Sequence, residues 1–410
     1  LNAKIQKSRD IALDVLKPSP ADLEHGEALH RDALVFDAYG FMPCSSECDE
    51  EWRIFAESGA SRTEIIDFLV QSMRTSCITS LREREEFKEA WEASGVTCVF
   101  QNSGEQTQSV PQQLKRLAHS TYVTDFLKNI VSRAATPDDI IMAKRENRHC
   151  LYLTTNAVPL MERWVSVEEE LTFIRIFFQL GVRMMHLTYN RRNMIGEGCA
   201  ESANGGLSDF GRTVVAEMNR VGVIVDVSHT GWQSSLEAAR LSNRPMVASH
   251  SACASLNAHY RCKPDEVIRA IADTGGYIGI TAVPEFLGRT GDLAAFLDHV
   301  DHAVKLVGEE HVAIGMDTMY QSEPIVQEST SMPKFSKGRS AFAALRRSCP
   351  SAQCLTWKDE RMRESMAWTN WPLITVGLVQ RGYTDDAIRK IVGGNALRVS
   401  RAVLPQMPCV

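Results

Sequence analysis

An excess of charge of one sign is the first thing this chain lacks. Its 45 Lys and Arg against 51 Asp and Glu leave a net charge of −6 over 410 residues. That balance gives no electrostatic footprint for nucleic acid or an anionic membrane surface, and neither is expected as a partner. Long hydrophobic runs are missing too. No apolar stretch reaches the roughly eighteen residues of a transmembrane helix. The opening LNAKIQKSRDIALDVLKPSP has no signal-peptide core, and the closing RAVLPQMPCV carries no readable anchor signal. The expected compartment is the cytoplasm, with a leader cleaved before Leu1 left open. Paired cysteine spacing is also absent. The 11 cysteines are odd in number and scattered, which suits reduced thiols better than a disulfide framework or a zinc ribbon. Cys44 and Cys48 are close enough to share a metal or a disulfide, but no second pair has matching spacing.

What is present is ordinary globular material, 44% hydrophobic and 23% charged, enough for one large core. Residues 1–30 read as a polar helical lead-in broken at Pro18 and Pro20. From Leu34 onward, short apolar runs alternate with helix-prone segments. The runs are Leu34–Asp37, Val96–Phe100, Cys150–Thr155, Met184–Thr188, Val223–Val227, Pro245–Ala248, Tyr277–Thr281 and His311–Gly315. Residues 44–95 and 106–149 read as helical, and the chain closes as a helix, a Gly-Gly-Asn turn and a final helix. Strand and helix alternating about eight times is the pattern of a (β/α)8 TIM-type barrel. We expect a single barrel domain over 31–405. Residues 321–360 break the rhythm as a long polar insertion, expected to lie over the barrel mouth.

The most informative stretch is VIVDVSH followed by PMVASH. Each half is an apolar run that ends in Ser-His, at Ser228-His229 and Ser249-His250, with helical composition between them. In a parallel barrel the C-terminal strand ends carry the chemistry. Two imidazoles presented there could share a divalent metal. The competing reading is a pair of packed histidines that each satisfy a backbone carbonyl.

Larger blocks carry a family resemblance. FFQLGVRMMHLTYN, GLSDFGRTVVAEMNRVGVIVDVSHTG, VASHSACASLNAHYR, VIRAIADTGGYIGI, HVAIGMDTMY and IVGGNALRV run in order along nearly the whole chain. Together they resemble the membrane (renal) dipeptidase family of the amidohydrolase superfamily. The resemblance implies a metallo-dependent (β/α)8 barrel that hydrolyses dipeptides at a binuclear zinc site, often as a homodimer. It implies that His229 and His250 bind the second metal. It implies that Asp317 is the carboxylate of the last metal-bearing strand, and that Arg261 holds the substrate carboxylate.

Other positions depart from the family. Its Asp-Gly-His-Asn-Asp reads Asp37-Ala38-Tyr39-Gly40-Phe41 here. Tyr39 replaces a metal-binding His and Phe41 a metal-binding Asp. Asn156 stands where the bridging Glu is expected. Leu187-Thr188-Tyr189-Asn190 replaces a Leu-Thr-His-Asn that lies near substrate. Phe offers no lone pair, and a neutral amide bridges two dications poorly. The expectation is a divergent hydrolase of a dipeptide-like amide with a free carboxylate. His229, His250 and Asp317 would hold at most one divalent metal, zinc first. Arg261 and Asn190 would face substrate, and Asp317, Tyr189 and Tyr39 would serve catalysis. A metal-free enzyme of changed chemistry and a non-catalytic binding protein are the alternatives.

Overall fold

The computed structural model describes residues 1–45, 54–55, 57–104, 108–323 and 359–404. Nine parallel strands form the sheet. They are β1 (Phe36–Gly40), β2 (Cys98–Asn102), β3 (Val131–Arg133), β4 (His149–Thr155), β5 (Val182–His186), β6 (Ile224–Asp226), β7 (Val247–Ser251), β8 (Tyr277–Ile280) and β9 (Val312–Ile314). Eight of them run in chain order as a nearly closed barrel, and β3 pairs onto β4 off that path. Helices wrap the outside, and the strands are buried on both faces. That burial explains why their sequences read as continuous apolar runs rather than alternating ones.

Three local readings change. The helical segment expected over 106–149 is two helices, Val110–Phe126 and Pro137–Arg145, with β3 between them. Three residues are too few to show a strand period. The Gly-Gly-Asn stretch is no turn. Lys390–Gly394 is one turn of π-helix that runs straight into the helix Asn395–Val403. Gly393 is there for close approach, since a Cβ on it would meet the Leu34 carbonyl oxygen at 2.1 Å. Residues 1–30 form most of two helices, Ala3–Leu16 and Pro20–Asp32, and they bury Ile5, Ala12 and Leu29 in the main core. Of the expected insertion only residues 321–323 and 359–360 are described, and Cys48 likewise lies outside the described residues. The seven cysteines within them are buried and free.

Pairing irregularities fall on the strands that build the pocket. The register shifts between Asp37 and Gly40 in β1 and between Ala248 and Ser251 in β7. Such shifts re-aim the side chains beside them. Glycine then lets β8 and β9 close against β7. A Cβ on Gly279 or Gly315 would stand 1.9 or 2.0 Å from the Ser249 carbonyl oxygen.

The seam between β1 and β9 is closed partly by a side chain. Met316 N donates to Asp37 Oδ1 at 3.0 Å, and Asp317 N donates to the Tyr39 carbonyl at 3.0 Å. Tyr39 N and Trp368 Nε1 also donate to the Asp37 carboxylate, at 3.3 and 3.1 Å. Burial pushes the Asp37 pKa up from 3.8 to about 7, against the pull of those three donors. The folded state therefore keeps this proton to higher pH than the unfolded chain does. The group's contribution to stability is full below pH about 4 and is lost as the pH rises through about 7. Asp37→Asn is neutral throughout. Urea unfolding between about pH 5 and 8 should show the stability advantage of wild type over Asp37→Asn shrinking as pH rises. A pH-independent difference would count against a buried carboxyl that titrates near neutrality.

Candidate active site

Asp226, the last residue of β6, is wholly buried. Its Oδ1 accepts from Ser228 N (2.9 Å), Ser228 Oγ (2.8 Å) and Ser249 N (3.1 Å), and its Oδ2 accepts from Ser249 Oγ. One carboxylate thus ties the ends of β6 and β7 together. Burial by itself would raise its pKa. The facing His186 and the serine donors override that and hold it well below the ordinary carboxylate range.

This network sets the histidine tautomers. Ser249 has one hydroxyl hydrogen, which goes to Asp226. His250 Nδ1, 2.8 Å from Ser249 Oγ, must therefore donate to it. His229 Nδ1 lies 2.7 Å from Asn190 Oδ1, which also accepts from Cys199 Sγ at 3.2 Å, so this nitrogen donates as well. Each ring is left with a lone pair on Nε2, and that of His229 also faces the Arg261 guanidinium, whose Nη2 is 3.4 Å away. Those two Nε2 atoms are 3.0 Å apart. Burial first, and then the Arg261 charge, keeps both imidazoles well below the usual histidine pKa. At neutral pH neither carries the proton that would join them.

Aromatic rings frame the pair. Tyr39 stacks on His250 with centroids 3.8 Å apart, and Tyr189 stacks on His229 at 4.1 Å. The Tyr39 hydroxyl donates to Asn156 Oδ1 at 2.5 Å. Burial, with Asp317 nearby, pushes the Tyr39 pKa well above that of an ordinary phenol, so it stays protonated. Asp317 and Asn190 adopt left-handed backbone, with φ of 54° and 59°. Asp and Asn tolerate that region better than most side chains. Burial raises the Asp317 pKa to about 6, with Arg261 and His186 opposing.

A cavity of about 270 Å³ opens onto this centre, and Tyr39, Phe41, Asn156, Tyr189, His229 and Asp317 all line it. Positions far apart in the sequence thus converge on one wall. The remaining expected site residues stand one layer back. His250 is behind His229 and Tyr39, and Asn190 orients His229. Arg261 is 2% exposed, and its Nη1 and Nη2 donate to the Ser228 and His250 carbonyls, with Nη2 3.4 Å from His229 Nε2.

Several contributors were not picked out from the sequence. His186 and Asp226 are register partners across β5 and β6, and the His186 Nε2 stands 2.8 Å from Asp226 Oδ2. A His and an Asp inside two apolar runs were the available signal. Arg74, Arg116 and His119 also line the cavity, with the Arg74 guanidinium 5.0 Å from the Phe41 ring centroid. Arg116 and His119 lie three apart in the helix Val110–Phe126 and so share a face. Burial, together with Arg116 and Arg74, lowers the His119 pKa to about 4.

Solved structures share the architecture. An amidohydrolase from Pseudomonas aeruginosa matches with TM-score 0.67 at 24% identity, covering 92% of this chain and 98% of that one. The probable dipeptidase PvdM from the same organism matches with TM-score 0.64 at 20% identity over 94% and 99%. Among curated proteins, dipeptidase verJ of Clonostachys rogersoniana is 30% identical over 56% of this chain and 50% of its own length. Dipeptidase aclJ of Aspergillus oryzae is 34% identical over 35% and 36%. The chain spans about half the length, or less, of these curated relatives. The sequence model of the membrane dipeptidases matches residues 27–337, and the chain belongs to that family, peptidase family M19.

Proposed function

We propose that this chain is a dipeptidase-like amide hydrolase that works with a single divalent metal, zinc by ligand type, held by His229 and His250. The observation that carries this reading is the pair of Nε2 lone pairs facing each other across 3.0 Å. Two neutral imidazoles oriented through Nδ1, with no proton between them, form a donor pair that a cation would bridge, and only His229 Nε2 is also approached by a guanidinium N–H, from Arg261 at 3.4 Å. Locking a ligand histidine through its other nitrogen is how metal sites are oriented.

The family's first-metal place is a poorer fit. A protonated phenol, an amide and a phenyl ring stand at Tyr39, Asn156 and Phe41, and the first two are hydrogen-bonded to each other. Those groups support one metal rather than two. Bound at the histidine pair, a divalent metal supplies Lewis-acid activation of a carbonyl and of water. The chain does the rest. The Asp317 carboxyl, poised at about 6 and lining the cavity, takes the proton from the attacking water and returns it to the leaving amine. Tyr189, which lines the cavity, is assigned the hydrogen bond to the developing oxyanion.

The free carboxylate of a dipeptide-like substrate is read onto Arg74 and Arg116, which line the cavity while packing on Phe41 and pairing with Asp67 respectively. Arg261 is the weaker choice, because its guanidinium is committed to the two carbonyls beneath the histidines.

Elemental analysis of protein purified without chelator should find one zinc-class ion per chain. The triple change Tyr39→His, Phe41→Asp, Asn156→Glu should raise the capacity to two. Wild-type protein that binds no divalent metal and hydrolyses no dipeptide would remove the reading. A second prediction concerns recognition. Charge-assisted hydrogen bonds contribute about 1.5–3 kcal/mol, so Arg74→Gln should raise KM about 10- to 100-fold for free-acid dipeptides with little change in kcat. It should also erase the preference over the C-terminal amides. Discrimination retained in Arg74→Gln but lost in Arg261→Gln would return the role to Arg261.

A further inference from the structure

His186 is the least explained side chain in the barrel. It ends β5, is wholly buried, and neither ring nitrogen makes a hydrogen bond among the described residues. A buried imidazole with so few polar partners is costly, since its nitrogens were stripped of water with only the Asp226 contact in replacement. The Asp226 carboxylate oxygen 2.8 Å from Nε2 lies off the line a hydrogen bond needs. That oxygen also accepts from Ser249 Oγ.

The surroundings say what the ring could do. Its centroid is 5.3 Å from that of His229 and 5.2 Å from that of His250, while those two are 5.0 Å apart. The three imidazoles make a nearly equilateral cluster in the barrel mouth. Candidate ligand atoms of His186, Asp226 and His250 all lie within 4.8 Å of one another. His186 stands at none of the positions where the family resemblance places a ligand, and it shares this interior with replacements for three of them, at Tyr39, Phe41 and Asn156.

We propose that His186 is a further imidazole ligand of the single metal, grouped with His250 and the Asp226 carboxylate and standing beside His229. The inference rests on the one-metal reading above. The ligand set is rich in histidine, which suits zinc, and His229 is the member of the cluster that lines the cavity. Asp317, which the resemblance would place on the metal, is thereby freed for proton transfer. The alternative is a histidinium that merely ion-pairs with Asp226.

The test is metal affinity, measured by competition with a chromophoric chelator on the full chain. The cobalt-substituted protein gives an independent visible spectrum. His186→Gln should keep the fold, as judged by circular dichroism, and should lose at least about 100-fold in zinc affinity, with an altered cobalt spectrum. His186→Asn serves as the second variant if the first does not fold. Asp317→Asn should leave the affinity within about threefold of wild type. Wild type that binds one zinc, with His186→Gln binding it equally well and showing the same cobalt spectrum, would overturn this assignment and leave the one-metal reading standing. Wild type that binds none would overturn both.

Discussion

Everything at the centre of this barrel depends on the Asp226 carboxylate. It takes the hydroxyl hydrogens of Ser228 and Ser249 and the backbone N–H groups of the same two residues. That one set of bonds aligns the ends of β6 and β7. By using up the Ser249 hydrogen it also dictates which nitrogen of His250 carries a proton. The cost of burying the charge is offset by four donors and by the neighbouring His186. Removal of the carboxylate would leave two serines and two strand ends without their shared acceptor. It would also release the Ser249 hydroxyl hydrogen that sets the tautomer of His250.

A second layer of constraint comes from close backbone packing. Gly279 and Gly315 let β8 and β9 press on the Ser249 carbonyl. The seam at Asp37 fixes Tyr39 through its own backbone N–H. Tyr39 in turn stacks on His250 and bonds Asn156. The seam of the barrel and the aromatic wall of the candidate site are therefore mechanically one structure. The residues that depart from the family pattern are integrated into it rather than left as gaps.

Much of this was legible in the chain because strands buried on both faces write themselves as apolar runs. Val223–Val227 and Pro245–Ala248 mark β6 and β7 without ambiguity, and the Ser-His endings locate the site. The three-residue β3 was not legible, because no period fits in so short a segment. The Gly393-Gly394 pair was misread as a turn, since close approach to Leu34 leaves no sign in local sequence. At the site, Tyr39, Phe41, Asn156, Tyr189, His229 and Asp317 do face one cavity, as their motif positions imply. His186 was hidden inside Met184-Met185-His186, where a single polar residue in an apolar run looks like tolerated packing. Only its register opposite Asp226 gives it meaning. The orientation of Arg261 toward backbone carbonyls depends on tertiary geometry that no motif encodes.

The central claim is that His229 and His250 offer two unprotonated Nε2 atoms to a cation. Nitrogen-15 NMR of histidine-labelled protein reads this directly. With one equivalent of zinc, both residues should show protonated Nδ1 and a metal-type shift at Nε2. Nε2 resonances that do not respond to zinc, with a proton held on either Nε2, would contradict the account.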